Sequence, residues 1–297
     1  MAGLSVLFPI MGNNAKTVAL LALMTALVWW LGIVLFDEGG LFIGLGFALL
    51  LNFAAYFWSD KLALAASRAK PVEEHQLPQV YSTVRNLAAR ADLPMPRIYL
   101  IEAPQPNAFA TGRNPEKAVI AVTTGILQVM NQDELEGVLA HELSHVKNRD
   151  ILISAIAAML AAALTIFARM AFWFGGGSDN RNNPLAAITA LASIILAPIA
   201  ALIIRMAISR TREYQADASG AEITGRPLHL ASALNKLGAA TARIPMNVNP
   251  AFAPLYIENP VKAFGRRQGG GLMSLFATHP PIEDRIERLT QMASGLR

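Results

Sequence analysis

Four long apolar runs constrain what this chain can fold into more than any other feature. They cover roughly Thr17–Phe36, Leu41–Trp58, Ile151–Phe174 and Pro184–Ile204, and about 20 such residues suffice to cross a bilayer as a helix. In lipid a segment must satisfy its own backbone hydrogen bonds, which favours helices for these runs. The composition agrees, with only 15% of residues charged where a soluble domain carries about 25%. The first run outlasts the core of a secretory signal, and "FDEGG" follows it in place of a small-residue cleavage site, so it reads as a retained anchor. Arg169 lies inside the third run, near enough to its end to snorkel to the interface.

Loop charges set the orientation. The turn Asp37–Gly40 is acidic, whereas Lys61, Arg68 and Lys70 follow the second run and Arg205, Arg210 and Arg212 follow the fourth. By the positive-inside tendency both termini and both polar regions face the cytoplasm, and Gly175–Pro184 is a short outer turn. The basic residues gather beside apolar segments, so the net charge of +4 reports membrane topology and not nucleic-acid binding. With no cysteine, disulfides, thiolate metal sites and a cysteine nucleophile are excluded. The expected fold is α+β, a mostly helical membrane protein with four transmembrane helices. Residues 1–60 form one hairpin and 151–204 a second, while 61–150 and 205–297 together build one cytoplasmic domain.

Within the first polar piece, Val80, Val84, Leu87 and Ala88 have helical spacing, stopped by "PMP". "RIYLIE" and "AVIAVTTG" read as strands, with "NAFATG" a short extended piece between them. A further helix starts at "NQDELEG", capped by Asn131 or Asp133. In the second piece "SRTREYQADASGAEITG" is a helix closed by Gly225, "RPLHLASALNKLG" one closed by Gly238, and "PIEDRIERLTQMAS" an amphipathic helix. Between the last two, Ala242–Gly271 is rich in Pro, Asn and Gly and predicts a long mobile loop.

The helix begun at "NQDELEG" carries "VLAHELSHVKNRD". His141 and His145 are one turn apart and project from the same face, so they can share a metal ion. Glu142 is one residue round and can serve a water at the open metal position as general base and acid, which peptide hydrolysis requires. The bland alternative is a surface helix with two solvated histidines. A di-iron site would need a second Glu-x-x-His pair, and the chain has none. Asn148 and Ile151 stand where the extended metzincin motif needs glycine and histidine.

Zinc needs a third protein ligand. The candidates are His75, His229, His279 and the carboxylates of the second polar piece. Glu213 and Asp217 in "SRTREYQAD" are four apart on one face, so one carboxylate can bind the metal while the other orients a ligand histidine. Glu213 lies nine residues past Ile204, or about 13 Å beyond the apolar boundary. His145 stands at a similar height before the third run. The site would thus be assembled by two membrane helices and held beside the bilayer.

Together "VLAHELSHVKNRD", "SRTREYQAD", "NAFATG" and "THPP" closely resemble the HtpX family of bacterial membrane-bound zinc proteases, whose wider group includes the CAAX prenyl proteases. The resemblance covers nearly the whole chain, including the four runs. It implies a gluzincin-like cytoplasmic zinc protease domain cutting misfolded or damaged membrane proteins at the inner membrane. It also implies Glu213 as third zinc ligand, Asp217 as the partner of a ligand histidine, and His279 as stabiliser of the oxyanion.

Asn107, Ala108 and Phe109 read as a sheet edge on which an extended substrate can pair. His75 and His229 lie in amphipathic surroundings without a nearby ligand pattern and read as structural or solvated. Two rivals to quality-control proteolysis remain. One is a non-enzymatic membrane adaptor clamped by zinc, against which Glu142 counts; the other is a prenyl-protein protease.

Overall fold

The computed structural model describes residues 13–162, 210–244, 246, 252–258 and 280–295. The third apolar run beyond residue 162, all of the fourth, and His279 lie outside the described residues.

Helix α1 is assigned as one element from Asn13 to Ala66. Asn52 Nδ2 nevertheless donates to Thr25 Oγ1 at 2.6 Å across 27 residues, a separation that a straight helix would stretch to about 40 Å. The element therefore doubles back. Leu20, Met24 and Val28 of its first limb share one buried cluster with Ala48 and Ala55 of its second. Among the described residues, only the stretch Leu41–Ala66 is a helix long and apolar enough to cross a membrane. It continues past the Trp58 limit expected from the sequence, because "LALAA" (residues 62–66) sustains the helix. Only 17% of its most apolar window is buried, and Phe42, Ile43, Leu49 and Leu50 are exposed, which suits a lipid surround. Ala15–Trp30 and Ile151–Ala162 are shorter apolar helices; the second, α5, packs into the same cluster through Ile153 and Ile156.

Four strands form the sheet: β1 (Lys70–Pro71), β2 (Arg97–Ile101), β3 (Ala108–Thr111) and β4 (Val119–Thr123). Their order is β1-β2-β4-β3, with β2 and β4 parallel and the outer pairs antiparallel. Every residue of strand β4 is buried, and since successive side chains point to opposite faces, both faces are covered. Ile120 and Val122 face the main core, whereas Val119 and Ala121 face a second cluster with Phe109 and Tyr256.

The main core fills the space between the sheet and five helices. These are α2 (Pro78–Arg90), α4 (Gln132–Lys147), α6 (Arg210–Thr224), α7 (Pro227–Thr241) and α8 (Ile282–Ala293), while the short α3 (Thr124–Val129) follows β4 directly. Helix α4 is started by a capping box. The Asn131 side chain accepts from the Glu134 N–H, and the Glu134 carboxylate accepts from the Asn131 N–H. One boundary expected from the sequence is overturned: Gly238 lies inside α7 and does not close it. A β-carbon there would stand 3.0 Å from Ile282 Cδ1, so the glycine leaves room for the Ile282 side chain of α8.

Candidate metal centre

The site is built on α4 and closed by α6. Their backbones come close where Gly220 meets His141; a β-carbon on Gly220 would stand 3.1 Å from the His141 nitrogen. That approach carries Glu213, two turns earlier on α6, to the histidine face of α4. His141 Nε2 and His145 Nε2 are 3.2 Å apart, and each lies 3.8 Å from a Glu213 carboxylate oxygen. These three residues offer donor atoms within 4.8 Å of one another and could hold a metal ion.

Each ring is held through its other nitrogen. His141 Nδ1 is 3.0 Å from Asp217 Oδ1, and His145 Nδ1 is 3.1 Å from both oxygens of Asp150. An ionised carboxylate only accepts, so both Nδ1 atoms carry a proton, and both Nε2 atoms would present lone pairs to a bound metal. Two lone pairs and a carboxylate at such range repel one another unless a cation lies between them. Tetrahedral ligands about 2.1 Å from an ion stand about 3.3–3.5 Å apart, close to what is found. The two-nitrogen, one-carboxylate donor set therefore fits a hydrolytic metal with a position left open.

Asp150 was not singled out by the sequence reading, although it closes the stretch quoted there. Helix α4 ends at Lys147, and Arg149 takes a left-handed backbone angle of φ 56°. The turn brings Asp150 back so that its N–H donates to the His145 carbonyl at 3.2 Å, and its carboxylate meets the ring.

Arg285 was missed as well. Fully buried on α8, it grips Asp217 with two hydrogen bonds of 2.8 and 2.7 Å. Its Nη1 stands 3.7 Å from Glu213. The signal was present in the sequence: Ile282, Arg285 and Leu289 form the buried stripe of α8, and an arginine in such a stripe needs a buried anion.

Electrostatics follow from burial. Loss of water pushes the Glu142 carboxyl up, against the pull of His141 and His145, and its carboxylate accepts a hydrogen bond from the Ala110 N–H of β3. Burial would raise Asp217 too, but Arg285 holds it at about 2. Burial would lower His145, yet Asp150 and Glu213 raise it to about 10. Such negative surroundings suit a cation.

The remaining expected residues separate. Asn107, Ala108 and Phe109 are buried at β3, the last strand in the sheet order. His75 is exposed near Glu73. His229, expected to be structural or solvated, lies 3.9 Å from Asp133 and 3.8 Å from Glu136, a second and more exposed group of side chains close enough to hold a metal ion.

A largely buried His-His-carboxylate set with an adjacent glutamate, in a chain that also carries a long apolar helix, is what a membrane metalloprotease requires. Residues 74–293 match the profile of Peptidase family M48, and the chain belongs to that family. It is 51% identical over 284 residues to a "Protease HtpX homolog" of Desulfatibacillum aliphaticivorans, covering 94% of this chain and 90% of that protein. A "Protease HtpX homolog" of Thermococcus sibiricus is 47% identical over 292 residues, covering 96% of this chain and 98% of that protein. Among solved structures, S. mikatae Ste24p has a similar fold, with a TM-score of 0.51 and 21% identity. That match covers 93% of this chain and 65% of the other.

Proposed function

We propose that this metalloprotease is a zinc endopeptidase in which His141, His145 and Glu213 hold the metal and Glu142 is the general base. The convergence of two Nε2 atoms and the Glu213 carboxylate beside buried Glu142 carries this reading. When bound, zinc supplies positive charge that eases proton loss from water and polarises a carbonyl. Glu142, with its pKa raised by burial, accepts the proton and returns it to the leaving amine. Asp217 and Asp150 hold the two rings in one tautomer and direction. His279 is assigned to the oxyanion on the family resemblance. Strand β3 is assigned to the backbone of an extended substrate through Asn107–Phe109, because its outer edge runs past Glu142.

The substrates are misfolded or damaged membrane proteins, cut at the cytoplasmic face of a bacterial inner membrane. Four membrane helices, both termini in the cytoplasm, and a catalytic domain drawn from residues 61–150 and 205–297 complete the arrangement. The exposed apolar surface of Leu41–Ala66 supports the membrane setting.

The test compares hydrolysis of an unfolded protein by detergent-purified wild type and Glu142→Gln, with and without zinc. The variant is expected to lose about 10²–10⁴-fold in rate while keeping its metal. An unchanged rate would remove Glu142 from the mechanism. Bound zinc with no hydrolysis by either protein would favour the adaptor reading.

A further inference from the structure

The outer edge of β3 already has an occupant. Backbone alternation turns Asn107 and Phe109 toward β4, where the Asn107 carbonyl accepts from the Thr123 N–H at 3.0 Å, and leaves Ala108 and Ala110 facing outward. The Ala110 N–H donates to Glu142. Two residues away, the Ala108 carbonyl accepts from the Ile257 N–H at 3.0 Å. The segment holding Ile257 follows the 3-10 turn Ala253–Leu255 and has no helical or strand pattern of its own.

This segment is clamped at backbone level. The Asn107 side chain donates to the Glu258 carbonyl at 2.7 Å and accepts from the Glu258 N–H at 3.3 Å. Arg285 Nη1 reaches the Ile257 carbonyl at 3.4 Å. Successive side chains take opposite directions, as in a strand. Tyr256 packs edge-on against Phe109 with ring centroids 5.0 Å apart, whereas Ile257 enters the main core with Ala108 and Leu139. The contacts of Ile257 and Glu258 are ones that an extended peptide of any sequence with a suitable aliphatic residue could make.

We infer that Tyr256–Glu258 is a built-in competitor of substrate, a strap that holds the β3 edge until an extended peptide displaces it. The inference rests on the peptidase reading proposed above. The strap is bonded to the strand that touches Glu142, and Arg285 links it to Asp217 and so to His141. Ile257 stands where a substrate would place an aliphatic side chain. A membrane protease acting on unfolded chains gains from such a device, because a folded neighbour offers no free extended segment to displace it.

The test uses the full-length, zinc-loaded protein in detergent and a quenched unfolded substrate. Ile257→Pro removes the N–H that bonds to Ala108. KM is expected to fall several-fold with kcat little changed. A raised KM or unchanged kinetics would overturn the strap, and would show these residues to be a wall of the cleft. Because the proline substitution can also damage the fold, a second measurement uses the wild type. A synthetic peptide of residues 251–259 should inhibit it competitively, and the same peptide with Asp for Ile257 should not. No inhibition, non-competitive inhibition, or equal inhibition by both peptides would overturn the inference. Absence of zinc-dependent hydrolysis in the wild type itself would instead refute the peptidase reading, which keeps the two failures apart.

Discussion

Two groups of side chains along helix α4 are each close enough to hold a metal ion, and they differ in almost everything else. His141 and His145 meet Glu213 toward its C-terminal end, while Asp133 and Glu136 meet His229 near its start. In the first group His141 and Glu213 are buried, and each histidine is held by a further carboxylate, Asp217 or Asp150. In the second, Asp133 is 60% exposed, and Arg226 and Arg90 lie 3.8 Å from Asp133 and Glu136. The surface carboxylates thus already have arginine and water as partners, and exposed pairs of this kind contribute about 0–1 kcal/mol. Proximity of ligand types is common to both groups; desolvation and fixed ring orientation belong to one.

The comparison breaks most visibly on metal content. His145→Ala should lose the bound zinc and all measurable hydrolysis, whereas His229→Ala should keep both. Metal analysis after exhaustive dialysis decides it. A drop in stoichiometry in His229→Ala would mean that the surface group binds metal too.

Next in size is the buried cation. Arg285→Met leaves Asp217 buried beside Glu213 without its guanidinium, a change expected to cost about 3–5 kcal/mol. Arg226→Met, which removes the cation beside exposed Asp133, should cost under about 0.5 kcal/mol. Thermal unfolding of the two zinc-loaded variants would show a large loss in one and almost none in the other. Equal losses would mean that burial of the ion pair is not what distinguishes the two groups.

Ring orientation is sharper still as a discriminator. Asp150→Asn keeps the size of the side chain but weakens its hold on the His145 Nδ1–H, and zinc affinity should fall about 10–100-fold. Competition with a chelator measures this directly. Asp133→Asn should leave the affinity unchanged.

What the sequence disclosed follows the same division. The helix of His141 and His145 and its cap, at Asn131 or Asp133, were legible because they depend on neighbours in sequence. The third ligand could be narrowed to three histidines and a few carboxylates, and family resemblance singled out Glu213. Asp150 acts across a turn, so spacing gave it no role; Arg285 stood in the buried stripe of α8, but its partner Asp217 lies on another helix and spacing could not supply it. Gly238 looked like a helix end because a glycine that ends a helix and one that admits a neighbouring helix read alike. The strap at Tyr256–Glu258 was hidden for another reason. It borrows its extended form from β3 and Asn107, and "AFAPLYIEN" has no period of its own.

The smallest expected effect concerns the start of α4. Glu134 closes the capping box there and also accepts from Ser232 and from Lys236, each at 2.7 Å. Burial would raise its pKa, but Lys236, the Asn131 N–H and Ser232 together lower it from the usual value of 4.5. A carboxyl with a depressed folded pKa adds stability above its unfolded pKa and loses it as the pH falls through the folded value. Wild type should therefore lose about 1 kcal/mol more than Glu134→Gln between about pH 5.5 and 3. Denaturation followed across that range would show the two curves converging in acid. Parallel curves would mean that the cap contributes by geometry alone, and that charge matters to this helix only where the two histidines stand.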